Sequence, residues 1–95
     1  MKFTKRHLEF VKLLPTKLVA DLLKHDSWYA NIFRVKGDKG WEYSGVDVFT
    51  NLYDCRKWAT EYLTYPENKK EEILACVKVT DIIECHKNLQ KKELQ

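Results

Sequence analysis

Three cysteines, Cys55, Cys76 and Cys85, and three histidines, His7, His25 and His86, are the residues of this chain best suited to hold a metal or attack an electrophile. Their spacing supports neither. Zinc sites in small domains bring ligand pairs two to four residues apart, whereas 20 residues separate Cys55 from Cys76 and eight separate Cys76 from Cys85. His86 directly follows Cys85, and adjacent helical residues point about 100° apart. A thiol nucleophile needs a positioned base. His25 falls near a helix C-terminus, where the dipole already favours its protonated form. The sequence therefore predicts no metal, no cofactor and no catalytic residues, with reduced thiols packed as small apolar groups.

The carboxylates lead to the same expectation. Asp47, Asp54, Glu71 and Glu72 are the candidates for hydrolytic pairing, but Ile73-Leu74-Ala75-Cys76-Val77-Lys78 has no acid two residues before its lysine. Gly37 and Gly40 form a close glycine pair, yet they join two expected strands and open no helix that would cradle phosphate.

Ile32-Phe33-Arg34, Val48-Phe49-Thr50, a helix carrying Arg56-Lys57-Trp58-Ala59, and then Ile73-Leu74-Ala75-Cys76-Val77 follow in an order that resembles the middle of ADP-ribosyltransferase domains. That resemblance implies that Arg34 and Thr50 would help hold a nicotinamide dinucleotide. The chain departs from the family in having no Glu-x-Glu-like segment after the third strand.

Charge and aromatic content point instead to binding. Residues 1–25 carry six Lys/Arg against two acids, while residues 26–65 carry net −1 and residues 66–95 net 0, so the whole excess of +3 lies on the N-terminal arm. Lys2, Lys5, Arg6, Lys12 and Lys17 are the expected contacts to phosphates or to an acidic protein surface. Ten of the twelve aromatic residues fall between Trp28 and Tyr65. Those on the expected hairpin, Trp28, Tyr29, Trp41 and Tyr43, together with Arg34, form the expected partner-binding set. A protein partner is the first reading. Nucleic acid, stacking on the same aromatics, is the alternative, and a minimal ADP-ribosyltransferase-like nucleotide-binding domain ranks third.

The elements that must position these residues follow from periodicity. Phe3, His7, Phe10, Val11 and Leu14 recur at helical spacing, with Thr4 as N-cap. Pro15 interrupts, and Thr16 is expected to cap a second short helix with Leu18, Val19, Leu22 and Leu23 on one face. Residues 28–36 and 41–49 read as a hairpin around Gly37-Asp38-Lys39-Gly40, with Gly45 marking a bulge. The second strand would place Trp41, Tyr43, Gly45, Asp47 and Phe49 on one face. Asn51 and Asp54 have the form of a capping box. The helix after them presents Leu52, Cys55, Trp58, Ala59, Tyr62 and Leu63 as one broad apolar face suited to the core. Pro66 and a polar loop end it. Residues 73–79 read as a strand apolar on nearly both sides, hence central, with Ile73, Ala75, Val77 and Val79 facing one way. A last helix follows with Ile82, Cys85, His86 and Leu89 on one side, and the tail frays from about residue 90.

The expected fold class is thus α+β, ααββαβα around a small three-stranded sheet, as a single domain over residues 1–95 with a basic helical arm at 1–25. Glu9 and Lys12 interrupt every window of signal-peptide length, and no apolar run approaches a membrane span. With an odd number of cysteines, a cytoplasmic location is expected. Lys outnumbers Arg 14 to 3, a bias that an AT-rich coding sequence produces. In its sharpest form the binding reading is a phage- or mobile-element-encoded inhibitor or regulator acting in the host cytoplasm. Oligomeric state is not encoded legibly.

Overall fold

A computed structural model describes residues 3–65 and 70–93. Lys2, the tip of the polar loop at residues 66–69 and the last two residues of the tail lie outside them. The order is α1 (Lys5–Val11), α2 (Thr16–Leu22) followed by a single 3₁₀ turn, β1 (Tyr29–Gly37), β2 (Gly40–Phe49), α3 (Leu52–Thr64), β3 (Glu71–Lys78) and α4 (Val79–Glu93). This is the expected α+β arrangement. α4 remains helical to Glu93.

Local signals account for most boundaries. The Thr4 hydroxyl accepts from the His7 N–H at 3.2 Å and starts α1. Pro15, not Thr16, occupies the N-cap of α2; Thr16 is already helical and no side chain caps the turn. Proline is tolerated there because the first N–H groups have no intrahelical partner. Asn51 caps α3 by accepting from the Asp54 N–H at 2.9 Å. The second half of the expected box is a side-chain bond, Asn51 Nδ2 to Asp54 Oδ2 at 2.9 Å. In the hairpin loop, only Gly40 takes positive φ, at 120°.

The sheet is antiparallel in the order β2-β1-β3. β1 is therefore the central strand, and the expectation that residues 73–79 would be central is corrected: β3 is an edge. Continuous burial from Ala30 to Arg34 marks β1 as the covered strand. The apolar run of β3 packs its two faces unequally, with Leu74 and Val77 buried and Ala75 and Lys78 exposed.

Both neighbours of β1 slip register. Against β2, Phe33 pairs with Gly45 but Arg34 with Tyr43, so Ser44 is the extra residue and the expected bulge stands at Ser44-Gly45. Against β3, Ala30 pairs with Val77 but Ile32 with Leu74, and Cys76 there adopts the left-handed φ of 60°. A one-residue slip moves every later side chain to the opposite face. Trp41 and Tyr43 consequently share a face with Val46 and Val48, not with Asp47 and Phe49. Leu74 likewise shares a face with Val77. Strict alternation from sequence fails at both places for this reason.

The layers are unequal. Helices α1, α2 and α4 cover one face, where Phe10, Val11, Leu14, Val19 and Leu22 meet Ala30, Ile32, Leu74, Val77, Ile82 and Ile83. α3 alone covers the other. It buries only Cys55 and Ala59, while Trp58 and Leu63 are 56% and 57% exposed, which corrects the broad core face expected for this helix. Three strands at about 4.8 Å spacing span roughly 10 Å, no wider than the helix itself. Side chains on the flanks of α3 therefore overhang the sheet.

Candidate functional site

Among the described residues, only Asn31 and Arg34 are buried polar or charged side chains. Pairing places them on opposite faces of β1: Asn31 with Asp47, Arg34 with Tyr43 and Glu72. Each organises a site.

Arg34 is 6% exposed and lies between two rings, with its guanidinium carbon 4.3 Å from the Phe10 centroid and 4.1 Å from that of Trp41. Phe10 comes from α1 and Trp41 from β2, so the stack pins helix and hairpin to the central strand. Around the guanidinium edge, Nε and Nη2 donate to Glu72 Oε1 at 3.0 and 2.5 Å. Nη1 reaches Glu9 Oε2 only at 3.4 Å. A guanidinium carries five N–H donors, so two lack a protein partner among the described residues. Arg34 also lines a cleft of about 340 Å³, together with Glu9, Lys12, Leu13, Lys39 and Trp41. Lys12, Arg34 and Lys39 outnumber Glu9 in the lining and Glu72 behind Arg34, and Trp41 supplies one aromatic wall. An arginine so held offers paired donors in a fixed plane, suited to a carboxylate or phosphate.

Of the expected partner-binding residues, the fold gathers Arg34 and Trp41 at this cleft and adds Lys12 from the basic arm. Tyr43 stands beside Arg34 but packs half-buried against the core. Trp28 and Tyr29 lie at the far end of β1. Trp28 stacks on His25 at 4.3 Å, and Tyr29 lines a different opening. Lys5 and Lys17 are exposed and line neither. Arg6 donates to the Ile73 carbonyl at 2.7 Å and ties α1 to β3. Thr50, expected beside Arg34 from the transferase resemblance, follows the Phe49 that pairs with Tyr29. Tyr29 is five residues along β1 from Arg34 and Thr50 lies one position further, roughly 20 Å away, so the two do not share a site.

Lys39, Glu9 and Leu13 were not singled out as site residues by sequence, and Glu72 only as a carboxylate for hydrolytic pairing, not as a partner of Arg34. Lys39 sits in the hairpin loop, and nothing local signals that this loop lies over α1. Glu72, two residues from Leu74 on a strand pairing with β1, was legible only once the partner of β3 was known.

On the opposite face, Asn31 is fully buried. Its Nδ2 donates to the Cys55 carbonyl at 3.0 Å, and its Oδ1 accepts from the Cys76 N–H at 2.9 Å and the Cys55 thiol at 3.2 Å. The bulge would otherwise leave the Cys76 amide without a partner, so Asn31 completes the broken ladder with its side chain. A left-handed non-glycine residue costs about 1–2 kcal/mol, and this bond helps hold it. Burial, followed by the neighbouring Cys76, pushes the Cys55 thiol up to about 12. Burial also raises Cys85.

Among the described residues, no group of three or more His, Cys, Asp or Glu side chains stands close enough to hold a metal ion. No helix there is long and apolar enough to cross a membrane. Compared with known proteins, the chain matches no family model, no curated protein and no solved structure.

Proposed function

We propose that this chain is a small non-catalytic binding protein that captures an acidic segment of a protein partner in the cleft between α1 and the hairpin. The observation that carries this reading is the Arg34 guanidinium. It is held between Phe10 and Trp41 with donors left over, at the base of a cleft whose rim bears Lys12 and Lys39. An Asp or Glu side chain of a partner displaces the long Glu9 contact and takes a two-point bond from a pre-organised fork. Lys12 and Lys39 add attraction at longer range and speed encounter. Glu9 at the rim disfavours the denser charge of a nucleic-acid backbone, which makes a protein carboxylate the better fit. Inhibition or regulation of that partner is the finer form of the same reading.

The test uses the tryptophan already in the wall. A glutamate-rich peptide should change the emission of the protein, and Trp41→Phe should remove most of that change while keeping an aromatic face for Arg34. Equal or stronger response to a single-stranded oligonucleotide of the same charge would favour the nucleic-acid alternative and count against this one.

A further inference from the structure

A second site lies under α3, independent of the cleft. The geometry points to Cys55 and Cys76 as a thiol pair that a hydroperoxide converts to an internal disulfide, with Cys76 oxidised first and Cys55 resolving it.

Three observations carry this. First, the two cysteines, with 20 residues between them in sequence, converge on one atom: Asn31 Oδ1 accepts from the Cys55 thiol at 3.2 Å and from the Cys76 amide at 2.9 Å. Second, they differ in access. Cys55 is fully buried, whereas Cys76 is half-buried and lines an opening of about 460 Å³ along edge strand β3. His7, Arg56 and Lys78 also line that opening, with Asp81, and their net positive charge suits attack by an anionic sulfur. Third, Cys76 holds a left-handed backbone in a bulge where glycine would be the unstrained choice. Strained non-glycine residues of this kind cluster where a side chain has a task.

The chemistry balances. The Cys76 thiolate attacks one peroxide oxygen; the S–O bond forms, the O–O bond breaks, and the released alkoxide or hydroxide takes up a proton. The sulfur is oxidised by two electrons to a sulfenic acid and the peroxide is reduced by two. The Cys55 sulfur then attacks the Cys76 sulfur. An S–S bond forms, the S–O bond breaks, and the departing hydroxide leaves as water with the Cys55 proton. Asn31 acts as the positioning residue, fixing both cysteines through its amide. Cys85 lies in the core on the other side of the sheet and takes no part.

The direct experiment treats the intact protein with one equivalent of hydrogen peroxide, alkylates it under denaturing conditions and maps it by mass spectrometry. The expected product is lighter by two hydrogen atoms, yields a Cys55–Cys76 cross-linked peptide, returns to the starting mass with dithiothreitol and leaves Cys85 alkylated. Cys76→Ser should lose the reaction altogether. Since Cys55→Ser disturbs a buried position, the mapping of the unmodified chain is the deciding measurement. Oxygen adducts that persist on Cys76 while Cys55 stays alkylatable, earlier oxidation of Cys85, disulfide-linked dimers, or no mass change would each overturn the assignment.

Discussion

Asn31 and Arg34 stand three residues apart on one strand, both buried, and they face opposite layers of the protein. Each also stands beside a slip in register, Asn31 against β3 and Arg34 against β2. Their surroundings then diverge. Asn31 spends three hydrogen bonds on neighbouring main chain and thiol, and its own side chain is fully buried. Arg34 is charged, is paired with carboxylates that are 34% and 42% exposed, and lines a cleft. A buried polar group whose bonds all close internally holds the scaffold together; one with donors to spare at an opening is positioned for a ligand.

The sharpest way to break this contrast is Asn31→Leu. It leaves the Cys76 N–H without its partner, at about 1–3 kcal/mol, and removes the extra bond that the Cys55 carbonyl accepts beside its helix bond, at about 0.5–1.5 kcal/mol. Urea unfolding should show a loss of roughly 3 kcal/mol, with the affinity of the surviving folded protein for acidic peptide unchanged. Arg34→Met should do the reverse. Methionine keeps much of the packing between Phe10 and Trp41, so stability should fall by only about 1 kcal/mol, the worth of the cation–π contacts. Peptide affinity should fall tenfold or more, because a hydrogen bond to a charged group is worth about 1.5–3 kcal/mol. Equal destabilisation by both variants would erase the distinction.

The thiol next to Asn31 gives the same contrast a pH signature. Cys55 is raised from 9.0 to about 12 in the folded protein, so the unfolded chain loses this proton first as pH rises. Stability is fully present below pH 9 and declines above it, by up to about 1.4 kcal/mol per pH unit from this group, toward the folded value. Denaturant midpoints measured between neutral and alkaline pH should show the decline, and Cys55→Ala should flatten it. No comparable thiol lies at the Arg34 cleft. Trp58→Ala gives the smallest effect: at 56% exposure the change in stability should stay within about 0.5 kcal/mol, although its helical spacing marks it for the core.

Trp58 also shows where sequence reading reaches its limit. Element order, the Thr4 and Asn51 caps, the hairpin and the bulge at Gly45 are local, and each was legible from residue type and spacing. Which flank of α3 the sheet can cover depends on sheet width, and that is set by strands remote in sequence. The faces of Tyr43 and Leu74 depend on where a slip occurs, and one displaced residue inverts all that follow. Likewise Arg34, Trp41 and Lys12 were each picked out by residue type, while their meeting at one cleft, and the part of Lys39 in it, rests on α1 docking across the hairpin. Cys55 and Cys76 looked like unrelated core thiols for the same reason; a β-bulge and a buried asparagine bring them together.

The cleft is tested most directly by calorimetric titration of a glutamate-rich peptide into the protein and into a Lys12→Glu, Lys39→Glu double variant. Both replaced residues lie at the rim, outside the packed core. The native protein should bind with an affinity that weakens as salt is raised, and the charge-reversed protein, folded to the same extent by circular dichroism, should give no binding heat. Equal affinity for the two proteins, or no heat with the native one at low salt, would contradict the assignment of this cleft as the partner site.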